Sequence, residues 1–381
     1  MLTVLREWLR IGCIGFGGPP AHIKLLRDLC VEREHWLEPV EFEDAIAACN
    51  LLPGPASTQL SIFCAWRVRG RLGALVGGFA FIVPGLILIL ALAALFLSGE
   101  PPRWIIAAGA GAGAAVSAVA VHAATSLLPA SWHRAHRSGL AIQLRWAAYL
   151  AVGTIAAATI GPWLVLVLLA CGLTEVTCRL PRISPSSTAA ILIPAGAVGT
   201  VTTSVLASLA WVAFKVGALS YGGGFVIIPL MQADAVNRYH WMSGGQFLNA
   251  VALGQITPGP VVQTVAVVGY AAAGTLGGIV ASAVAFTPSF AFILFGGRHF
   301  DRLRGNPHVR AFLDGAGPAA IGAILGSAVS LARALSEPWQ FVVLAAAAIL
   351  LFALRRGVVL TLLAAGASGI GIAAAGAALP H

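Results

Sequence analysis

Long apolar runs dominate the pattern of hydrophobic and polar positions along this chain. A bilayer core about 30 Å thick requires roughly 20 helical residues. Runs of about this length lie at 72–98, 104–128, 143–160, 163–178, 276–297, 311–332, 339–354 and 357–379. Together with the interrupted regions described next, they predict an all-α polytopic membrane protein with about 10–12 membrane segments.

Two further apolar regions, 1–68 and 205–273, are interrupted by helix-breaking residues. Each contains a Gly-rich break and, further along, the sequence Pro-Gly-Pro. Non-helical backbone at membrane depth is tolerated where protein or a water-filled cavity surrounds it. The breaks therefore predict broken or re-entrant helices that line a site. The alternative is that proline and glycine merely kink packed helices.

The two interrupted regions align with each other at an offset of 205 residues. Over positions 12–81, 18 of 70 residues are identical without a gap. The matching groups are Phe16-Gly17-Gly18 with Tyr221-Gly222-Gly223, His35-Trp36 with His240-Trp241, Phe42 with Phe247, Pro53-Gly54-Pro55 with Pro258-Gly259-Pro260, Gly73 with Gly278, and Ala80-Phe81 with Ala285-Phe286. The chain is thus predicted to be a tandem repeat with domains 1–185 and 186–381.

Basic loops differ in position between the two halves. The first half carries them at 67–71, 133–145 and 179–182, whereas loop 271–275, the counterpart of 67–71, has no basic residue. The basic loops of the second half follow at 298–310 and 355–356. Because basic loops favour the cytoplasm, the pattern predicts an inverted repeat. Such repeats are typical of secondary transporters, whose site lies at the repeat interface near the midplane.

The composition agrees with a membrane protein and disfavours several other classes. Charged residues make up 10% and hydrophobic residues 59% of the chain. Too few polar side chains remain to cover a water-exposed surface, which argues against a soluble enzyme, a nucleic-acid binder or a disordered chain. The net charge of +9 is attributed to cytoplasmic loops rather than to a nucleic-acid partner.

The sequence lacks common motifs for catalysis and metal binding. It contains no H-E-x-x-H, G-x-S-x-G or P-loop motif. Its six cysteines show neither C-x-x-C nor zinc-ligand spacing. We therefore expect no enzyme activity, no cofactor and no metal.

Each break is predicted to leave the start of a helix exposed to a ligand. A helix is expected to restart near Ala56, after Pro53-Gly54-Pro55, and another after Pro258-Gly259-Pro260. Further helices are expected to begin after Gly17-Gly18 and after Gly222-Gly223. The positive ends of helices bind anions, so up to four of them are predicted to form an anion site.

Two cations and several polar side chains near the breaks are candidates for the same site. Lys215 lies inside an apolar segment and aligns with Arg10; a charge at that depth costs at least about 2.5–3.5 kcal/mol, and snorkelling to head groups is the alternative. The polar candidates are Asn50, Ser57, Thr58, Gln59, Gln255, Thr257, Gln263 and Thr264. They are expected to donate to an oxyanion, or otherwise to join helices.

Residues that could carry protons are fewer. His22 follows the first break and aligns with Ile227, so it is a candidate for proton coupling or for capping. The acidic candidates are Glu7, Glu43, Asp44, Glu175 and Asp314. Asp314 and His122 lie in apolar runs without repeat counterparts and are more often local hydrogen-bonding residues.

The motifs of both halves, taken in order, resemble the chromate ion transporter family. In the first half they are F-G-G-P at 16–19, H-I at 22–23, W-L at 36–37 and L-L-P-G-P-A-S-T-Q-L at 51–60. In the second half they are Y-G-G-G-F at 221–225, I-P at 228–229, W at 241 and G-Q-I-T-P-G-P-V-V-Q-T at 254–264. Asn50 departs from the pattern, where a Gln is expected.

The resemblance implies a protein of the bacterial inner membrane that exports chromate from the cytoplasm and confers chromate resistance. Coupling to the proton gradient is implied as well. Chromate is a tetrahedral dianion like sulfate, so a sulfate-like oxyanion fits the predicted helix ends equally well. A passive anion channel is the alternative mechanism, and a homodimer is a further hypothesis.

Overall fold

The computed structural model describes residues 1–51, 54–97, 101–136, 139–159, 163–179, 205–220, 227–296 and 306–380. Regular structure in these ranges is helical. The predicted boundary between domains at 185 and 186 lies outside them. The two halves are therefore compared through the helices on either side.

The first half begins with two pairs of helices, each pair flanking a break, and three further helices follow. Helix α1 (Leu2–Ile14) and α2 (Pro19–Arg27) flank the first Gly-rich break, and α3 (Pro39–Leu51) and α4 (Ala56–Phe96) flank the first Pro-Gly-Pro. Helices α5 (Arg103–His136), α6 (Leu140–Thr159) and α7 (Leu164–Arg179) follow. A π-helical segment, Asp28–Arg33, extends α2.

The second half repeats this order. Helix α8 (Val205–Leu219) precedes α9 (Ile227–Gln232), a π-helical segment (Ala233–Arg238) and α10 (Gly244–Ile256). A 3₁₀ turn, Val261–Gln263, then leads into α11 (Thr264–Gly296). Helices α12 (Pro307–Arg333), α13 (Pro338–Ala348) and α14 (Val358–Ala374) complete the half.

Local sequence explains several of these boundaries. Pro19 and Pro20 occupy the first turn of α2, where a missing N–H costs no intrahelical bond. Ser243 and Gln246 form a capping box at the start of α10. The Asn306 side chain accepts from two backbone N–H groups at the start of α12.

Helix length and composition confirm a polytopic all-α membrane protein. Within the described ranges, five helices are long and apolar enough to span a bilayer: Ala56–Phe96, Arg103–His136, Leu140–Thr159, Val261–Gly296 and Pro307–Arg333. Shorter apolar helices are Val205–Leu219, Pro338–Ala353 and Val358–Ala374.

The long helices α4 and α11 occupy equivalent places in the two halves and run antiparallel. Gly78 of α4 packs on the Phe290 ring of α11, and further along α4 the side chain of Leu90 packs on Gly278. Residue numbers thus rise along one helix as they fall along the other. Equivalent helices of opposite direction are the arrangement that an inverted repeat predicts.

The gapless register predicted from the sequence is wrong beyond the Pro-Gly-Pro breaks. Up to the breaks the offset is 205, as in the positive φ angles of His35 and His240. Beyond them it is 204, because α4 kinks at Arg69–Gly70 and α11 at Ala273–Gly274 with nearly equal dihedral angles. Between Pro-Gly-Pro and the glutamine that follows it, the second half has one residue fewer than the first. These residues form a 3₁₀ turn in the second half, and a 3₁₀ turn takes fewer residues than an α-helical one.

The corrected register changes several pairs of equivalent residues. Gly73 corresponds to Gly277 and Pro84 to Pro288. Gln59 corresponds to Gln263. Ser57 and Thr58 correspond to Val261 and Val262.

The helices pack as two bundles, and each bundle takes helices from both halves. Helices α1, α4, α8 and α11 form the first bundle together with the short helices around the breaks. Helices α5, α6, α7, α12, α13 and α14 form the second, in which α12 packs along α6 and α7 while α14 packs along α5. Helix α10 connects the bundles by packing on α5.

Candidate functional site

A reciprocal pair of backbone hydrogen bonds joins each Pro-Gly-Pro break to the other half of the chain. The N–H of Gly54 donates to the Ser220 carbonyl at 2.8 Å, and the N–H of Gly259 donates to the Gly15 carbonyl at 3.0 Å. Each break is thereby held to the end of the first helix of the other half. Such reciprocity is expected of a two-fold relation, and it places both breaks at the interface between the halves.

His22 lies on the first-half side of this interface, between Gly15 and Ser57. Its Nε2 lies 2.9 Å from the Gly15 carbonyl, which can only accept, so Nε2 carries the proton. Its Nδ1, 3.2 Å from the Ser57 hydroxyl, then accepts from that hydroxyl. The ring also meets Phe81 edge-on at 5.0 Å. His22 is fully buried and links α1, α2 and α4.

The long helices bring a residue from each half to the break of the other. A β-carbon placed on Gly54 would lie 3.3 Å from the Ser289 hydroxyl of α11. A β-carbon placed on Gly85 of α4 would lie 2.2 Å from the Pro258 carbonyl. Ser289 and Gly85 each follow a proline inside a helix. Sequence reasoning missed both, although repeated prolines at an offset of 204 were a readable signal.

Gln59 and Gln263 are equivalent residues at the two breaks. The Gln59 amide nitrogen lies beside Gly54, at 2.5 Å from the position of an added β-carbon. The Gln263 amide nitrogen donates to the Ile82 carbonyl at 2.5 Å and so joins the second-half break to α4. Both side chains are fully buried.

Several polar atoms around the breaks are buried without hydrogen-bond partners in the part of the chain that the structure describes. They include the hydroxyls of Thr58, Ser220 and Ser289, the Gln255 amide nitrogen and the Gln263 amide oxygen. Buried polar groups are nearly always paired with protein, water or a ligand. The concentration of orphan donors near Gly54 therefore points to a polar ligand there.

The remaining predicted residues of the breaks occupy different surroundings. The Thr257 hydroxyl donates to the Leu253 carbonyl and the Thr264 hydroxyl to the Val261 carbonyl, each at 2.8 Å. Gly18, next to Gly17, faces Val261 across the halves, and Pro55 and Pro260 directly precede the new helices. The side chain of Asn50 and the residues Pro53, Gly222 and Gly223 lie outside the described part of the chain.

The two predicted cations each have a carboxylate partner. The Arg10 side chain is 56% exposed and lies 3.6 Å from Glu7, which also pairs with Arg33. Lys215 is 13% exposed and forms an ion pair with Asp234, which is 2% exposed. Asp234 was not predicted from the sequence, although an acid in the apolar stretch after the second Gly-rich break is a signal of the same kind as Lys215.

The acids Glu175 and Asp314 belong to an ion-pair network in the second bundle. Glu175 accepts from Arg145 at 2.8 Å, from Arg179 at 2.5 Å and from the Tyr149 hydroxyl at 3.0 Å. Arg179 also donates to Asp314 at 2.7 Å. The network joins α6 and α7 of the first half to α12 of the second. Glu43 pairs with Arg27 at the surface.

The geometry favours binding of an anion by uncharged donors. The Ser289 hydroxyl and the Gln59 amide nitrogen lie beside Gly54, at the start of α4. The unpartnered hydroxyls of Thr58 and Ser220 belong to residues that adjoin the same break, and no carboxylate is among these groups. Among the described residues, no three His, Cys, Asp or Glu side chains lie close enough together to hold a metal ion.

Comparison with known proteins identifies related sequences over most of the chain. Residues 2–176 and 207–370 match the family described as "Chromate transporter". A "Chromate transport protein" of Cupriavidus metallidurans is 32% identical over 335 residues, which cover 86% of this chain and 81% of that protein. A protein of the same description from Pseudomonas aeruginosa is 32% identical over 391 residues, covering 95% and 90%.

A more distant relative, an "Uncharacterized transporter" of Methanocaldococcus jannaschii, is 26% identical over 322 residues, covering 80% of this chain and 78% of that protein. No solved structure matches the chain. The relatives therefore bear on family, while the geometry rests on this structure.

Proposed function

Because this chain belongs to the chromate transporter family, we propose that it is a secondary transporter that exports chromate across the bacterial inner membrane. Export from the cytoplasm would confer chromate resistance. Its fold is that of a multi-pass membrane protein, and its relatives are named transport proteins.

The observation that carries this proposal is the reciprocal bonding of Gly54 to Ser220 and of Gly259 to Gly15. It holds each Pro-Gly-Pro break against the end of the first helix of the other half, and secondary transporters bind their substrates at such an interface between repeats. Orphan buried donors at the same place support an oxyanion as the ligand.

We further propose that the proton gradient drives export. A titratable group lies inside the protein beside the first-half break, namely His22 within hydrogen-bond distance of Ser57. A binding site whose two breaks belong to opposite halves suits alternating access, in which one packed unit moves against another.

A sulfate-like oxyanion is a second candidate substrate, because its tetrahedral oxygens would meet the same hydroxyl and N–H donors. A passive anion channel built on the same repeats is the alternative mechanism. Competition by sulfate for chromate uptake tests the second substrate, and the dependence of uptake on the proton gradient distinguishes a transporter from a channel.

The test is uptake of radiolabelled chromate into everted membrane vesicles, with sulfate as competitor. An exporter coupled to protons accumulates chromate when a proton gradient is imposed and stops when the gradient is dissipated at constant voltage. Equilibration that ignores the gradient would indicate a channel. Uptake no greater than in vesicles without the protein would contradict chromate transport.

A matched pair of glycine variants shows whether uptake depends on the break. Gly54 has a φ of +122°, and an added methyl group would press on the Gln59 amide, so Gly54→Ala should reduce uptake at least about tenfold. Gly371→Ala adds a methyl group to open space and should leave uptake unchanged. Equal uptake by both variants would remove the break from the transport site.

A further inference from the structure

We propose that the transported anion is held at the first-half break alone, by the hydroxyls of Thr58, Ser220 and Ser289 together with the first N–H groups of α4. The second-half break would instead be closed by packing and would have a structural role without binding the anion. This inference rests on the proposed function and names the substrate-binding residues of that site.

The donors at the first-half break come from both halves of the chain. Thr58 lies in the first turn of α4, Ser220 accepts the Gly54 N–H through its backbone carbonyl, and the Ser289 hydroxyl faces Gly54 from α11. All three side chains are fully buried. Their hydroxyls have no partner among the described residues, so each has a hydrogen bond to offer.

The start of α4 adds backbone donors to these hydroxyls. Pro55 has no N–H, and the N–H groups of Thr58 and Gln59 already bond to the Pro55 carbonyl at 3.0 Å each. Helix geometry provides no acceptor within α4 for the N–H groups of Ala56 and Ser57. These groups point out of the positive end of a helix whose first segment runs to the kink at Arg69–Gly70.

The second-half break lacks each of these hydroxyl donors. In the corrected register, Val261 and Val262 replace Ser57 and Thr58, Gly15 replaces Ser220, and Gly85 replaces Ser289. The two breaks therefore differ in their side chains, and they also differ in backbone, because a 3₁₀ turn follows the second-half break where α4 begins directly after the first. Only the first-half break presents side-chain donors to an anion at these positions.

Packing also fills the second-half break. The Pro258 carbonyl and the Gln263 amide oxygen both lie within 2.4 Å of the position that a β-carbon on Gly85 would take. The Gln263 amide nitrogen is engaged by the Ile82 carbonyl, so its oxygen, an acceptor, faces this space. An acceptor repels an anion. The Gly15 carbonyl already receives both Gly259 and His22.

The experiment measures equilibrium binding of radiolabelled chromate and sulfate to the purified full-length protein in lipid nanodiscs. Thr58→Val, Ser220→Ala and Ser289→Ala each remove one donor. We expect each to raise Kd roughly ten- to a hundredfold, because a hydrogen bond to a charged group is worth more than a neutral one.

Two matched controls remove hydroxyls that the protein already satisfies. Thr264→Val acts in the first turn at the second-half break, where the hydroxyl bonds to the Val261 carbonyl. Ser327→Ala acts in α12, where the hydroxyl bonds to the Ile324 carbonyl. Both should keep Kd within about twofold of the parent protein.

The outcomes separate this inference from the proposed function. Unchanged affinity in Ser289→Ala and Ser220→Ala, or an equal loss in Thr58→Val and Thr264→Val, would overturn the assignment to one break. A parent protein that binds neither anion would instead contradict the proposed function. If Ser289→Ala fails to fold, Ser289→Cys is measured instead, because it nearly keeps the side-chain size and weakens the donor. We expect its Kd to lie between those of the parent and of a variant without the donor. A Kd equal to that of the parent would count against the inference.

Discussion

At the scale of single residues, the buried ion pair of Lys215 and Asp234 determines how the predicted cation is interpreted. Asp234 has one oxygen on Lys215 and a second without a partner among the described residues. Removing one member of a buried pair leaves an uncompensated charge, whereas replacing both by apolar residues is often nearly neutral. The pair is therefore expected to hold α8 against the segment after α9.

This expectation gives a double-substitution test. Lys215→Met should destabilise the folded protein by about 3–5 kcal/mol because Asp234 loses its partner. Lys215→Met with Asp234→Leu should recover most of that loss. Thermal melting of the purified protein in detergent measures both, and chromate uptake is measured on the folded variants.

We expect the double variant to retain transport, since Asp234 already neutralises Lys215. A double variant that melts normally yet transports no chromate would return Lys215 to the anion site as a cation. Trp211, which the Lys215 ammonium approaches at 6.0 Å from the ring centroid, provides a control position in α8. Trp211→Phe should leave both stability and transport close to those of the parent.

The sequence predicted those site residues whose motifs stand next to a break in the chain. Gln59 and Gln263 were selected in this way, and both lie beside their break glycines. Ser220 and Ser289 were missed because their position depends on contacts with the other half. Spacing along one segment carries no information about a residue that arrives from a helix in the opposite repeat.

At the scale of elements, the kinks in α4 and α11 depend on glycine. Gly70 has φ +61° and ψ −154°, and Gly274 has φ +60° and ψ −156°. This combination is essentially restricted to glycine. Each kink separates the short helical segment after a break from the long segment that packs against the other half.

A substitution at a kink isolates this backbone requirement from packing. A β-carbon on Gly274 would meet nothing within 4 Å, so Gly274→Ala should cost about 1–3 kcal/mol through conformation alone. The mirror variant Gly70→Ala should behave alike, because its surroundings are equally open. Gly371→Ala, in the helical part of α14, should be neutral or stabilising by up to about 1 kcal/mol.

Melting temperatures of the three variants test the argument. Equal stability of Gly274→Ala and Gly371→Ala would mean that the kink tolerates other backbone conformations. The positions of the helices themselves were largely predictable, since apolar runs set their lengths. The one-residue change in register was not, because hydrophobicity does not distinguish a 3₁₀ turn at Val261–Gln263 from an α-helical one.

At the scale of the whole molecule, the helices that precede the two Pro-Gly-Pro breaks, α3 and α10, pack unequally on the second bundle. Helix α10 packs along α5, with Leu248 and Asn249 against Gly109 and Gly113. Its repeat counterpart α3 makes far fewer contacts with α12 in the described residues. During alternating access, we expect the close α10–α5 contact to open and its counterpart between α3 and α12 to close.

A crosslink between α10 and α5 tests that expectation. A β-carbon on Gly113 would lie 3.1 Å from the Leu248 β-carbon, close to disulfide range. In a variant without native cysteines, Gly113→Cys with Leu248→Cys should stop chromate uptake under oxidising conditions and release it on reduction.

The control crosslink lies within the second bundle. A β-carbon on Gly326 would lie 2.9 Å from the Ala157 β-carbon, so Gly326→Cys with Ala157→Cys joins α12 to α6, which pack closely. This crosslink should leave uptake unchanged. Full uptake with the α5–α10 disulfide formed would show that this contact persists throughout the cycle.

The reciprocal bonds at the breaks also constrain how the protein is made. Gly54 finds its acceptor in Ser220, so the Pro-Gly-Pro break of the first half is not satisfied until the second half has left the ribosome. An unsatisfied peptide group in the bilayer costs several kcal/mol. The newly inserted first half must therefore wait, shielded by water or by the insertion machinery, and a chain that stalls between the halves is a natural substrate for membrane proteases.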